Sequence, residues 1–413
     1  MSYSEGLKNL LASQIEKIKN EGLYKGERYI LSSQDTIVSV ESPIGVKRQN
    51  IINMCSNNYL GLSNHPEILK AARAGMKKKG FGLSSVRFIC GTQDIHRELE
   101  VKVTNFLSTE DTILFLSAFD ANHGIFEALL NDEDIILSDR LVHASVIDGI
   151  RLSRASHDSF KHSNLEHLEE KLMQYQNKRI KLVVTDGVFS MDGDLAKLDN
   201  LVDLCEKYSA LLVVDDSHGT GVIGLTGRGT HEYFGLNDKI DLLISTFGKA
   251  LGGASGGFAS GRKEIIELCR QKSRPFLFSN SIPPPVVSGV IKGLDIISRD
   301  FTLKNKLEKN KEFWRNGLIS EGFIVQEGNS PIVPVMLYDS KLTQSFSNDL
   351  FDAGVLAVGF SFPVVPLGQA RIRTQLSAKH ETDQLNKALK AFKKIGEKYN
   401  ILGKTKDQII NKI

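Results

Sequence analysis

Three features of the sequence predict an α/β fold built on a mostly parallel central sheet flanked by helices. Short apolar runs recur at 112–116, 182–185, 211–215 and 241–246, and each ends in polar residues. Segments with apolar residues at helical spacing lie among them, as with Leu198, Leu201, Val202, Cys205 and Tyr208. Repeated strand–helix–strand units imply parallel strands covered on both faces. After Pro283-Pro284-Pro285 the pattern changes to two helices and then scattered strands, which predicts a smaller C-terminal α+β domain.

In order along the chain, Leu7, Leu11, Ile15 and Ile18 predict an amphipathic helical arm ended by Gly22. Residues 36 to 56 alternate as strands do, with a turn at 42–45. Pro66 opens a helix that Gly80 closes, and Lys77, Lys78 and Lys79 suit its C-terminal end. Asp94 is expected to cap the next helix, and a strand at 112–116 leads into a helix at 119–130. Beyond the prolines come helices at 286–298 and 302–320, a strand at 331–337 and a helix ending at Gly354. Strands at 355–361 and 371–376 and a closing helix after Glu381 complete the chain. The expected division is an N-terminal arm with short strands (1–55), a large α/β domain (56–285) and a small α+β domain (286–413).

Composition narrows the partners. The 413 residues carry 52 basic and 49 acidic side chains, a net charge of +3, with no long block of one sign. Nucleic acid and membrane are therefore not the expected partners. No apolar run approaches the roughly 20 residues that span a bilayer. Cys55, Cys90, Cys205 and Cys269 are widely spaced, which indicates neither a zinc site nor a disulfide framework. No arginine precedes Arg28, and the N-terminus resembles no signal or transit peptide, so the expected compartment is the cytoplasm.

The chemistry is concentrated in two segments. Ile244-Ser-Thr-Phe-Gly-Lys-Ala-Leu-Gly-Gly-Ala-Ser-Gly-Gly257 places Lys249 just past an apolar strand, among hydroxyls and glycines. A lysine there loses charge through burial and can form an imine with an aldehyde. Ser245 and Thr246 could hold a phosphate, which together suggests pyridoxal phosphate (PLP). Upstream, Leu211-Leu-Val-Val-Asp-Asp-Ser-His218 ends a strand in two acids and a histidine. Asp215 suits a protonated pyridine nitrogen, and His218 suits the ring's phenolic oxygen. Alone, the acid pair could equally hold magnesium or cap a helix.

Other strand ends add to this. Leu114-Phe-Leu-Ser-Ala-Phe-Asp-Ala-Asn-His-Gly124 runs from a strand into a helix whose free N–H groups can cradle phosphate. His143 sits among small residues and could stack on a planar ring. Ser190 follows another strand and could reach the ring oxygen or the substrate. Arg371 and Arg373 share one strand face. Their spacing leaves open a carboxylate receptor or two solvated arginines. The match of Gly219-Thr-Gly-Val-Ile-Gly224 to a dinucleotide fingerprint fails, because glycines at 227 and 229 interrupt the helix it needs. No P-loop is present either, since Ala250 follows the lysine.

These residues resemble the PLP-dependent α-oxoamine synthases of fold type I, over roughly residues 5 to 400. The segments that carry the resemblance include Asn57-Asn-Tyr-Leu-Gly-Leu62, Ser85-Val-Arg-Phe-Ile-Cys-Gly-Thr-Gln-Asp94 and Thr185-Asp-Gly-Val-Phe-Ser-Met-Asp-Gly193. Ser273-Arg-Pro-Phe-Leu-Phe-Ser-Asn280 and Gly368-Gln-Ala-Arg-Ile-Arg-Thr-Gln375 add to them.

The resemblance implies that Lys249 binds the cofactor covalently, Asp215 pairs its pyridine nitrogen, and His218 and Ser190 bond its phenolic oxygen. It implies that His143 stacks on the ring, and that Ala118 and Phe119 amides with the Thr246 hydroxyl take the phosphate. Arg373, Asn57 and Ser190 would hold the substrate. A homodimer with sites at the interface is implied, with Ser279 of the second chain reaching the phosphate. The implied reaction condenses glycine with acetyl-CoA to 2-amino-3-oxobutanoate and CoA, or runs backwards in threonine breakdown. The alternatives within the family take alanine with a pimeloyl thioester, serine with a fatty acyl-CoA or glycine with succinyl-CoA. Ala118, His123 and Phe247 depart from the expected cysteine, glycine and leucine.

Overall fold

The computed structural model describes residues 3–21, 24 and 26–410. Its strands are β1 (Tyr29–Ile30), β2 (Ile37–Glu41), β3 (Lys47–Asn53), β4 (Asp111–Phe115), β5 (Ile135–Asp139), β6 (Ser156–Phe160) and β7 (Lys181–Asp186). They continue as β8 (Leu211–Asp215), β9 (Leu242–Thr246), β10 (Gly257–Gly261), β11 (Ile332–Tyr338), β12 (Val355–Leu356), β13 (Val358–Phe360) and β14 (Ala370–Gln375). Seven of them form the central sheet, in the order β4-β10-β9-β8-β7-β5-β6. The run β9-β8-β7-β5-β6 is parallel. Only β10 is reversed, antiparallel to both β4 and β9, so β4 and β9 point the same way.

Side chains that alternate along these strands feed two cores. Val183, Leu212, Val214 and Leu243 enter one. Leu182, Val184, Val213, Leu242 and Ile244 enter the other. Burial on both faces is why these strands read as continuous apolar runs. Three strands of the sheet carry no such signal. The edge strand β6 is Ser-His-Asp-Ser-Phe and pairs on one side only. β5 is Ile-Ile-Leu-Ser-Asp, whose apolar part is only three residues long. β10 is hidden in a glycine-rich stretch because its ends lie against backbone. A Cβ at Gly261 would stand 2.1 Å from the Asp241 carbonyl oxygen.

The sheet's two small neighbours tie the chain ends together. β1-β2-β3-β12 brackets N-terminal strands with one from the C-terminal third, and β12 runs parallel to β3. The N-terminal strands thus close on residues 355–356 rather than standing apart. The strand expected at 355–361 is two strands in different sheets, because β13 joins the antiparallel set β11-β14-β13. The helix expected to be capped by Asp94 begins there instead, with Gln93 as its cap and His96 Nδ1 accepting the Gln93 backbone N–H at 3.0 Å. The N-terminal helix Glu5–Asn20 buries none of its residues, and its expected stop, Gly22, lies outside the described residues. Among the described residues no helix is long and apolar enough to cross a membrane.

One ionic clamp fixes the loops on the site side of the sheet. His162 spans the Asp139 carboxylate at the end of β5 and Asp194 beyond β7, both at 3.0 Å. Burial opposes its charge, but the two carboxylates prevail and raise its pKa to about 10. A pKa raised on folding stabilises most below the unfolded value and loses that contribution as pH rises through the folded one. Thermal melts should therefore show stability falling from pH 6.5 towards pH 10. A His162→Asn chain should lack that alkaline decline, and parallel pH profiles of the two proteins would contradict the assignment.

Candidate active site

The parallel register brings the polar strand ends to one edge. Asp186 at the end of β7 lies beside Asp215 at the end of β8, which lies beside Ile244 of β9. Gly257 opens β10 between Thr246 and Phe115. A Cβ on Gly257 would stand 2.2 Å from the Ala118 amide nitrogen, so only glycine lets the helix start this close. Helix Ala118–Leu129 begins there, and its Ser117 cap accepts the Asp120 N–H at 3.0 Å. Among the described residues the Ala118 and Phe119 N–H groups have no hydrogen-bond partner. Thr246 Oγ1 accepts the Gly248 N–H at 2.9 Å. Unpaired amides at a helix start beside a hydroxyl make a cradle for a phosphate group.

Lys249 follows β9 and makes no hydrogen bond or ion pair with the described residues. Burial lowers its pKa to about 8, against the opposing pull of Asp215 and Asp186. Asp215 is oriented by two donors, the Asn122 amide at 2.7 Å and the Ser217 N–H at 3.0 Å. Asn122 also donates to Ser145 Oγ at 2.9 Å, and its own oxygen is buried without a partner. Asp186 is buried next to Asp215, and burial with that like charge pushes its pKa well above the carboxylate range.

His143 keeps surface accessible on the cleft, yet surrounding protein desolvates it enough to lower its pKa. Its Nδ1 accepts the Ser145 N–H at 3.3 Å and lies 2.7 Å from Ser145 Oγ, which leaves the proton on Nε2. His218 is buried, and its Nδ1 lies 2.7 Å from the Tyr59 hydroxyl. Burial, then Lys249 and Arg373, depress its pKa well below the ordinary value.

The two arginines of β14 differ. Arg371 is fully buried against Asp192. Arg373 has no carboxylate partner among the described residues. It donates to the Ser190 carbonyl at 2.8 Å and lies 4.7 Å from the Phe360 ring, while its Nε is buried and unpaired. A desolvated guanidinium without an anion is prepared to receive one. Asn57 Oδ1 and the Tyr59 hydroxyl both accept from the Gln375 amide, and Gln375 Oε1 lies 3.5 Å from Arg373.

Ser190 is drawn to Arg373 through its carbonyl, and its hydroxyl makes no hydrogen bond with the described residues. Ser279 follows the short helix Arg274–Phe278 and makes no hydrogen bond to Ala118, Phe119 or Thr246 within the chain. His123 packs its ring 4.2 Å from that of Phe119, with Nε2 buried and unpaired. Phe247 is wholly buried against Phe258. No long helix follows Gly219 to Gly224, only the four-residue turn Thr230–Tyr233.

Tyr59, Asn122, Asp186 and Gln375 are the residues that motif reading passed over. Gln375 shares the Arg373 face by period two, and Asn122 lies one helical turn after Ala118. Those spacings were the available signals.

The residues fit PLP. An unbonded, half-buried amine, an oriented carboxylate, the His218 imidazole and a phosphate cradle suit its aldehyde, pyridine nitrogen, phenolic oxygen and phosphate, and the Arg373 guanidinium suits an amino-acid carboxylate. The family model for aminotransferase classes I and II matches residues 49–392. The chain belongs to this family. Within the class I and II aminotransferases it is 46% identical over 95% of its length to the 2-amino-3-ketobutyrate coenzyme A ligase of Escherichia coli strain K12, covering 98% of that protein. The mitochondrial enzyme of that name from Bos taurus is also 46% identical, over 96% of this chain and 94% of the relative. An 8-amino-7-oxononanoate synthase from Thermosipho melanesiensis is 42% identical over 95% of this chain and 99% of its own. Among solved structures, a serine palmitoyltransferase from S. paucimobilis with bound PLP–myriocin aldimine superposes with a TM-score of 0.89. It is 28% identical, and the match covers 95% of this chain and 98% of that one.

Gly257→Ala should disturb backbone on both sides of the cradle, because nothing flexible lines the position. The expected loss is about 1–3 kcal/mol of stability, with weakened PLP retention. A melting temperature and PLP content equal to wild type would show that the strand can shift to admit a Cβ.

Proposed function

We propose that the chain is a PLP-dependent acyltransferase that condenses glycine with acetyl-CoA to give 2-amino-3-oxobutanoate and CoA, and catalyses the reverse cleavage. The observation that carries the reading is Lys249, a half-buried amine with a pKa of about 8 and no bonded partner among the described residues, placed near two carboxylates. The choice of glycine and acetyl-CoA is supported by relatives at 46% identity over nearly the whole chain.

When bound, PLP supplies an aldehyde for attachment to an amine and a ring that withdraws electrons from the adjacent carbon. Lys249 would hold the cofactor at rest and, once displaced by the substrate amine, take and return the proton at glycine Cα. Asp215, fixed by Asn122 and Ser217, would keep the pyridine nitrogen protonated. Ala118, Phe119 and Thr246 would hold the phosphate, and His218 and Ser190 the phenolic oxygen. Arg373 would receive the substrate carboxylate, opposite Asn57. His143, neutral with its proton on Nε2, would cover the ring and could donate to the thioester oxygen.

A homodimer is proposed on the same site. Val86 bridges to Asn280, which joins the exposed Phe88 and Ile89 to the exposed Phe278 beside Ser279. Such an apolar surface suits a second copy, whose Ser279 would complete the phosphate cradle. Leu7, Leu11, Ile15 and Ile18 of the N-terminal helix are exposed as well. The proposed compartment is the cytoplasm, and all four cysteines are free thiols, as a reducing compartment keeps them.

The second reading, an 8-amino-7-oxononanoate or related synthase, is favoured by the 42% identity to the Thermosipho protein. Thiol release by PLP-loaded protein separates the two. Release from acetyl-CoA should require glycine and not occur with alanine or serine. Release only with alanine and a pimeloyl thioester would transfer the assignment to the second reading. Arg373→Ala should raise the glycine KM by at least about tenfold, because the desolvated carboxylate loses its charged partner.

PLP loading should itself depend on pH. The neutral amine is the nucleophile, and its fraction grows as pH rises through about 8. The rate at which the visible band appears after PLP addition should climb across that range and then level. A rate flat from pH 6.5 to 9 would contradict the depressed lysine pKa.

A further inference from the structure

Tyr59 belongs to no role so far assigned, yet it stands where the two halves of the site meet. Its ring is buried completely, and its hydroxyl faces three groups: His218 Nδ1 at 2.7 Å, Gln375 Nε2 at 3.1 Å and Asn57 Oδ1 at 3.4 Å. Hydrogen-bond logic sets the proton. The Gln375 amide can only donate, so the Tyr59 oxygen accepts from it. Were Nδ1 protonated, the hydroxyl proton would have only Asn57 Oδ1 at 3.4 Å, too long for a good O–H···O bond, so it is assigned to the 2.7 Å contact with His218 Nδ1. Burial raises the Tyr59 pKa to about 12, so it keeps that proton.

His218 is consequently an acceptor at Nδ1. Lys249, Arg373 and His143 all oppose a charge on its ring, so it is neutral with its one proton on Nε2. We infer that Tyr59 is a positioning residue, which holds His218 in the Nε2–H tautomer and so makes it a donor to the cofactor's phenolic oxygen. This inference rests on the assignment of His218 to that oxygen. The relay also has a far end. Gln375 lies against Arg373 at 3.5 Å, so the carboxylate receptor and the ring-oxygen donor share one chain of hydrogen bonds, Arg373–Gln375–Tyr59–His218. The chain crosses from β14 to the loop after β8 and needs the rigid seat of Tyr59 between them.

Removing the hydroxyl leaves His218 Nδ1 buried and bare. The ring can then carry its proton on either nitrogen, and only one form donates to the oxygen. The loss is in orientation of the reacting ring and not in substrate capture.

The test is a nitrogen–proton correlation spectrum of 15N-histidine-labelled protein, with and without PLP, using His218→Asn to identify the resonance. Wild type should show a protonated Nε2 and a bare Nδ1 in both states. Tyr59→Phe should show the Nδ1–H form appearing, with kcat lowered about tenfold and the glycine KM changed less than about threefold. A wild-type His218 protonated on Nδ1 overturns the inference, even if the variant fails to fold. So does Tyr59→Phe with an unchanged His218 spectrum. A loss confined to the glycine KM also overturns it, and makes Tyr59 a wall of the Arg373 pocket. Failure of the chain to take up PLP would instead overturn the functional reading, while the cofactor-free spectrum would still decide the tautomer.

Discussion

A primary amine half-buried and unbonded among the described residues is the constraint on which the arrangement depends. Partial burial lowers the Lys249 pKa, and a bonded carboxylate would raise it again. The sheet sets Asp215 and Asp186 at the ends of adjacent strands, near enough to act through their field without bonding the amine. The pKa of about 8 is the balance of those opposed effects. Burial and the neighbouring Asp215 push the Asp186 pKa well above the carboxylate range.

That balance requires the strand ends to be registered, and the glycines do this. Gly257 lets β10, β9 and the helix start at Ala118 converge within van der Waals range. The small sheet then closes the cleft from the other side. Arg371 and Arg373 donate to the consecutive carbonyls of Met191 and Ser190, so one strand both pins the loop after β7 and offers the free guanidinium. The buried pair of Arg371 with Asp192 holds β14 in place, and Arg373 is left to function.

Much of the site was legible in the sequence because its residues end apolar strands or share a strand face. Lys249, Asp215 and Thr246 follow from that logic, and so does the convergence of their strands. What the sequence concealed follows from pairing. β6 is polar because it is an edge, and β10 is glycine-rich because backbone crowds it. Two arginines with identical spacing took different roles, since Asp192 reaches only one of them. Asn122 and Tyr59 act through other side chains across more than ninety residues of sequence, a relation no local pattern records. The division of 355–361 between two sheets is likewise a matter of tertiary pairing.

The most direct test is reduction of PLP-loaded protein with borohydride, followed by peptide mapping of the pyridoxyl label. The account predicts a single label on Lys249, with loss of the visible band in proportion. A label on another lysine, or none, would contradict the claim that this amine is the centre of the chemistry.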